Sequence, residues 1–387
     1  MTPSGPNPPL VFPPRQPADS AAGDKDGRGR KVQDIHHTTS IPVTHRRAPI
    51  RRAGFAKALL LLALIGAVPA MAAPRVPPTP TPTPLTFGIL PIGGPAESLT
   101  AWRPMLDDMS HALRQPVRSI SVSTYEGLAQ ALNEERVDIA FVSGRLALHA
   151  VTLDRMQVIA QLTRGDGSHG YHAVLLVRRD SPLHSVADLL RQPGHWRYAR
   201  GEALSVSGYL VPETQIFASR NLDSDTFFAS VAIDNHQNNA LAVANGEVDV
   251  ATNNTADMER FAEHFPDQFA RLRVLWTSSL IPHAVIVVRR DLDPAVRQAV
   301  VGFVTRYART GPHVAAELEK LKRIHDISGF APAGNSALAP FADIDYQLDR
   351  RRALSAQWVS PSALQARLQK IANDHRQLLQ QLRADQP

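Results

Sequence analysis

The sequence predicts an α/β protein in which a strand–helix alternation is run through twice. Three observations carry this. Between Leu85 and Val142, apolar strand patterns and helical periodicities take turns at the spacing of crossover units. A second alternation runs from about 184 to 251. Two apolar strands of similar character, His172-Ala-Val-Leu-Leu-Val177 and His283-Ala-Val-Ile-Val-Val288, each end in Arg-Arg-Asp, which suits a chain that leaves one lobe and later returns to it.

Element by element, Leu85–Leu90 reads as a strand bounded by Pro84 and Pro91. A helix is expected over about 100–113, with Trp102, Met105, Leu106, Met109 and Leu113 on one face. Val117–Val122 alternates as a strand, Tyr125–Asn133 reads as a helix, and Val137–Val142 as a buried strand. The second round gives a helix near 184–191, a strand near 195–199, a helix from about 207, a strand near 228–233, a helix over 237–245 and a strand at Val248–Ala251. Asp293-Pro294 is an N-cap and first-turn pair, opening a helix with Val296, Val300, Phe303, Val304 and Tyr307 on one side. Ser360-Pro361 opens another, with Leu364, Leu368, Ile371, Leu378 and Leu382 on a stripe. An isolated helix needs a packed face, so this stripe either docks on the body or pairs with a second copy, leaving monomer and dimer both open.

Composition narrows the function classes. With 387 residues, 43% hydrophobic and 20% charged, the chain is long enough for two or three domains and apolar enough for a sizeable core. No cysteine is present, so disulfides, thiolate metal sites and cysteine nucleophiles are excluded. The net charge of +6 comes entirely from residues 1–57, which hold 10 basic and 4 acidic side chains. The rest balances to zero, and a neutral body lacks the cationic surface that nucleic acid requires.

The front end predicts export. Arg46-Arg47 and Arg51-Arg52 precede the apolar run Ala58–Val68 and an Ala70-Met-Ala72 cleavage pattern, so 46–73 is expected to be a signal peptide of the general secretory type. Eleven apolar residues are too few to span a bilayer core of about 30 Å as a helix. Residues 1–45 lack apolar periodicity and are expected to be a disordered or mis-assigned extension, with translation starting nearer the signal, at about Val43. Pro74–Pro84, with its repeated Thr-Pro, is expected to be an extended tether.

Three places in the second half could hold chemistry. Ser205-Val-Ser207-Gly208 lies where a strand gives way to a helix; small hydroxyls there suit an ordinary N-cap or an anion cradle of helix-start amides. Asn235-His236 opens the next helix, as cap and hydrogen-bonding residue or as ligand contact. Asp249, within an apolar strand and followed by Thr252-Asn253-Asn254, needs a partner if buried, and strand ends of this kind face the crevice in open α/β sheets. No GxSxG elbow, HExxH helix or phosphate-binding P-loop occurs, so neither an enzyme nor a resident cofactor is expected.

The order of segments resembles a known family. Val137-Asp-Ile-Ala, Asp166-Gly-Ser-His-Gly-Tyr171, Asp180-Ser-Pro, Ser205-Val-Ser-Gly-Tyr-Leu-Val-Pro212, His236-Gln-Asn-Asn-Ala-Leu, Val248-Asp-Val-Ala-Thr-Asn-Asn-Thr255 and Leu280-Ile-Pro282 follow one another as in phosphonate-binding periplasmic proteins of ABC transporters. The resemblance implies the type II periplasmic binding fold, with lobe 1 at 85–178 and 283–347, lobe 2 at 179–282, hinge strands near 176–182 and 283–289, and a helical tail at 348–387. It further implies a phosphonate or related phosphorus oxyanion between the lobes and a permease partner in the inner membrane. A sensory module of the same fold, reporting to a membrane receptor or kinase, is the alternative. By motif, Tyr125, Ser205, Val206, Ser207, Gly208, His236 and Asp249 would form the ligand site. Val206 stands where the family usually has threonine, Val142 where tyrosine is common, and Pro91-Ile92-Gly93-Gly94 where the loop is typically more polar. One unpaired ligand oxygen costs roughly 1–3 kcal/mol, so a smaller or less charged oxyanion than an aminoalkylphosphonate, or weaker binding, is expected.

Overall fold

The computed structural model describes residues 83–384 apart from 93, 154, 325 and 326. The expected signal peptide, the extension before it and most of the Thr-Pro tether lie outside the described residues. Among those described, no helix is long and apolar enough to cross a membrane.

Two sheets organise the chain. The first contains β1 (Leu85–Ile89), β2 (Val117–Ser121), β3 (Ile139–Val142), β4 (Met156–Arg164), β10 (Val285–Arg289) and β11 (Ile327–Pro332), in the order β11-β4-β10-β3-β1-β2. Here β1 lies parallel to β2 and β3, while β10 runs antiparallel between β3 and β4. The second contains β5 (Gly170–Arg178), β6 (Arg197–Arg200), β7 (Ser230–Ile233), β8 (Val250–Asn254) and β9 (Leu272–Pro282), in the order β7-β6-β8-β5-β9. Its β6 is parallel to β7 and β8, and β5 is antiparallel to β8 and β9. Crossover helices bury apolar faces against these sheets, as periodicity predicts: Trp102, Met105, Leu106 and Met109 of Pro95–Leu113 pack with Phe87, Ile89 and Phe141 in the first core.

The chain crosses between sheets earlier than the sequence suggested. β5 pairs along its length with β8 and β9 of the second sheet, so the boundary at 178 is corrected to the turn between Arg164 and Gly170. The physical reason is β4, an unrecognised strand that takes the place beside β10 in the first sheet. The return crossing falls between Pro282 and Val285.

The boundary at 348 is also corrected. Leu348 is buried within one continuous helix, Ala339–Ser355, that touches both sheets' packing. Near its start, Phe341 and Ala342 belong to the first core; further on, Leu348 packs against Leu210 and Ala218, and Arg352 donates to the Tyr209 hydroxyl at 2.7 Å. The final helix, Pro361–Ala384, docks on the body by the predicted stripe, with Ile371 and Leu382 buried and Leu378 packed beside them.

Close packing under Ala339–Ser355 sets a test. A Cβ on Gly144, the first residue of the helix Gly144–Thr152, would lie 2.1 Å from the ring of the fully buried Phe341. Overpacking a rigid core costs about 1–3 kcal/mol. Gly144→Ala is therefore expected to lower unfolding stability by that amount in a urea titration, with the m-value unchanged.

Candidate functional site

The parallel strands of both sheets end at one place. From the second sheet, β6 delivers the loop beginning at Gly201, β7 leads to Asn235-His236, and β8 runs into Asn254 and Asp257. From the first, β1 leads to Leu90 and Ile92, β2 to Tyr125, and β3 to Ser143. Between them lies a cavity of about 80 Å³ lined by Leu90, Ile92, Tyr125, Ser143, His236, Asn254 and Asp257 together with Phe141, Leu162, Arg164, Tyr171, Ser205, Val206, Ser207, Ala256, His283 and Ala284. A single water needs roughly 10–15 Å³ on this measure, so the space is large enough for a small anion of a few heavy atoms.

The Ser205–Gly208 segment owes its shape to two glycines and a proline. Ser205 caps the helix start, its Oγ accepting from Gly208 N at 3.0 Å. The turns that follow are wide: Leu210 N donates to Ser205 O, and Val211 N to Val206 O, five residues back. Pro212 explains this local geometry, because it has no N–H to give to the carbonyl four residues earlier, that of Gly208. That carbonyl instead accepts from Gly201 N at 2.9 Å and from the Thr252 hydroxyl at 2.9 Å, fastening the loop to the end of β8. Pro212 therefore sits inside the helix.

Around this cradle the polar groups are almost all buried. Ser207 Oγ lies 3.2 Å from His236 Nε2 and accepts from Asn254 Nδ2 at 3.3 Å. Burial holds the His236 imidazole below its ordinary pKa, overcoming the opposing pull of the Asp257 carboxylate, whose Oδ2 is 3.9 Å from Nε2. Tyr125 is the first residue of its helix, behind the Thr124 cap. Burial raises the pKa of its phenol, with Tyr171 and Asp257 adding to the shift, and burial does the same for Tyr171, which also faces Asp257. Both phenols thus remain donors. Tyr171 stacks on His283, with ring centroids 6.1 Å apart.

Six of the seven residues named from sequence therefore meet here: Tyr125, Ser205, Val206, Ser207 and His236 line the cavity, and Gly208 forms the backbone beneath it. Asp249 does not. It precedes β8 at the strand's opposite end, roughly 16 Å from Asn254 at about 3.3 Å per residue. There it binds Arg197, at 2.8 Å through both the guanidinium and the backbone N–H. Partial burial pushes its pKa up, but the Arg197 bonds and charge outweigh this and leave it lowered. Asp249 is a structural ion-pair residue.

The cavity carboxylate is Asp257, which the sequence reading missed, as it did the roles of Tyr171 and Asn254. A signal was present: Asn254-Thr-Ala-Asp257 has a cap residue with an acid three positions on. Asn254 Oδ1 accepts from Asp257 N at 2.9 Å, and Asn254 Nδ2 donates to the Asp257 carboxylate at 2.6 Å. Val142 is fully buried in the core and does not line the cavity. Among the described residues no cluster suited to a metal ion occurs.

A buried neutral histidine gives a pH signature. Its folded pKa is depressed, so below the unfolded value of about 6.5 the unfolded chain binds the extra proton and stability falls with acid. His236→Gln is expected to flatten the decline in urea-unfolding free energy between pH 7.5 and 5.5, by at most about 1.4 kcal/mol per pH unit.

Comparison with known proteins identifies the family and the fold. Residues 87–338 match the family described as the periplasmic substrate-binding protein of phosphonate ABC transporters. The chain is 37% identical over 237 residues to the phosphonates-binding periplasmic protein of Escherichia coli (strain K12), covering 61% of this chain and 70% of that one. A binding protein component of an ABC phosphonate transporter from Pseudomonas aeruginosa superposes with a TM-score of 0.73 at 28% identity, over 79% of this chain and 99% of the other. PhnD1 from Prochlorococcus marinus (MIT 9301), solved with methylphosphonate, shares the fold, with a TM-score of 0.60 at 17% identity over 68% of this chain and 98% of that one. The architecture is thus the type II periplasmic binding fold, and these relatives are named as binding proteins. The chain belongs to the phosphonate-binding periplasmic substrate-binding proteins of ABC transporters.

Proposed function

We propose that this protein captures a small phosphonate or related phosphorus oxyanion, such as phosphite, in the cavity between its two sheets, and hands it to a membrane permease. The observation that carries this reading is the convergence of Ser205, Ser207, Tyr125, Tyr171 and His236 on one small cavity at the ends of the parallel strands. The first amides of the helix at Val206 and Ser207, the two phenols and the serine hydroxyls supply neutral donors for oxygens. The helix-start dipole adds to them.

Asp257 takes the acceptor role expected of Asp249. A carboxylate in the same cavity favours a ligand that presents a donor to it, either a protonated oxygen or an amine. The apolar side of the cavity, Leu90, Ile92, Phe141, Leu162 and Val206, offers a short organic substituent a dry surface. Residues 46–73 act as the export signal and 74–84 as the tether in this reading, with one lobe on each sheet.

Titration calorimetry with methylphosphonate, aminoethylphosphonate, phosphite and phosphate tests it. At least one should bind; folded protein that binds none overturns the reading. Ser207→Ala is expected to weaken the best ligand about tenfold, the scale of one charged hydrogen bond. Asp249→Ala should leave affinity unchanged while lowering the melting temperature.

A further inference from the structure

The loop that forms one wall of the cavity also grips the opposite lobe. Three consecutive residues do so. The Glu202 carboxylate accepts from Tyr125 N, 3.0 Å from each of its oxygens, and from Glu126 N at 3.4 Å. The Ala203 carbonyl accepts from the Arg145 guanidinium, and the Leu204 carbonyl accepts from Ser143 Oγ at 3.4 Å. All the donors belong to the first lobe.

The Glu202 contact fills a specific need. Thr124 caps the helix Tyr125–Asn133 by accepting from Gly127 N, which leaves the two amides before Gly127 for another partner. A carboxylate at that position also meets the positive end of the helix dipole. Glu202 is meanwhile locked to the cradle: its own carbonyl accepts from Ser205 N at 2.9 Å, and its neighbour Gly201 is bonded to Gly208 O. Ligand contact and lobe contact thus lie within four residues on one stiff loop.

We propose that Glu202 is a positioning residue that latches the cleft shut and holds Tyr125 over the ligand, so that ordering of the 201–208 loop by a bound oxyanion strengthens closure. This rests on the proposed oxyanion site, but the latch itself is testable without ligand. Two further ion pairs join the lobes, Arg164 with Glu259 and Arg260 with Glu97, and neither involves the cradle loop.

The chain has no cysteine, so Ser119→Cys and Gln192→Cys, both at exposed positions, place one spin label on each lobe. In ligand-free protein, Glu202→Gln is expected to shift the label distances toward longer values, and Glu202→Ala further. Stopped-flow binding of methylphosphonate should show dissociation about tenfold faster in Glu202→Gln, with association within about twofold of the parent. Arg145→Gln, which removes the neighbouring tie, should shift both readouts in the same direction by less. Unchanged distances and unchanged dissociation in both variants would overturn the latch. If the parent binds none of the tested oxyanions, the ligand reading fails, and the distances alone still decide whether Glu202 holds the lobes together.

Discussion

The site depends on the close approach of two backbone segments at Gly201 and Gly208. A Cβ on Gly208 would come within 2.8 Å of Gly201 Cα and 2.6 Å of Ser205 Oγ. Only glycine permits the hydrogen bond between these two residues, and only a following helix without its ordinary bond at Pro212 leaves the Gly208 carbonyl unclaimed. Thr252 then fixes the knot to β8. From this one arrangement follow the direction of the helix start, the place of both serines and the reach of the loop toward the other lobe.

Electrostatics around the knot are unusual for an anion receptor. Histidine is held neutral, the phenols are held protonated, and Arg164 is engaged by Asp166 and Glu259. Selectivity in such a site comes from matching donors to acceptors, because a buried group left without its counterpart costs more than a formed bond contributes. A cavity that offers dipoles and one carboxylate distinguishes oxyanions by where their protons and amines are, more than by total charge.

Much of this was legible in the chain itself. The alternation, the Ser205–Gly208 junction and His236 could be singled out because short motifs at strand-to-helix junctions restrict both geometry and chemistry, whereas Tyr125 could be named only through the family resemblance. What escaped were features set by long-range pairing. β4 and β9 are long strands whose places depend on partners about a hundred residues away or more, so periodicity alone could not assign β5 to its sheet. Asp249 misled for a related reason. A carboxylate beside an apolar strand looks the same at either end, and only the strand's direction shows that Asp249 faces Arg197 while Asp257 faces the cavity.

The helix Ala339–Ser355 bears on how such a molecule can move. Its beginning is set into the first lobe through Phe341, and its end is fastened to the second through Leu348 and the Arg352–Tyr209 bond. A stiff rod anchored in two bodies removes most of their freedom to shear or splay. The two lobes are thereby tied at a third point along the chain, besides the two strand crossings.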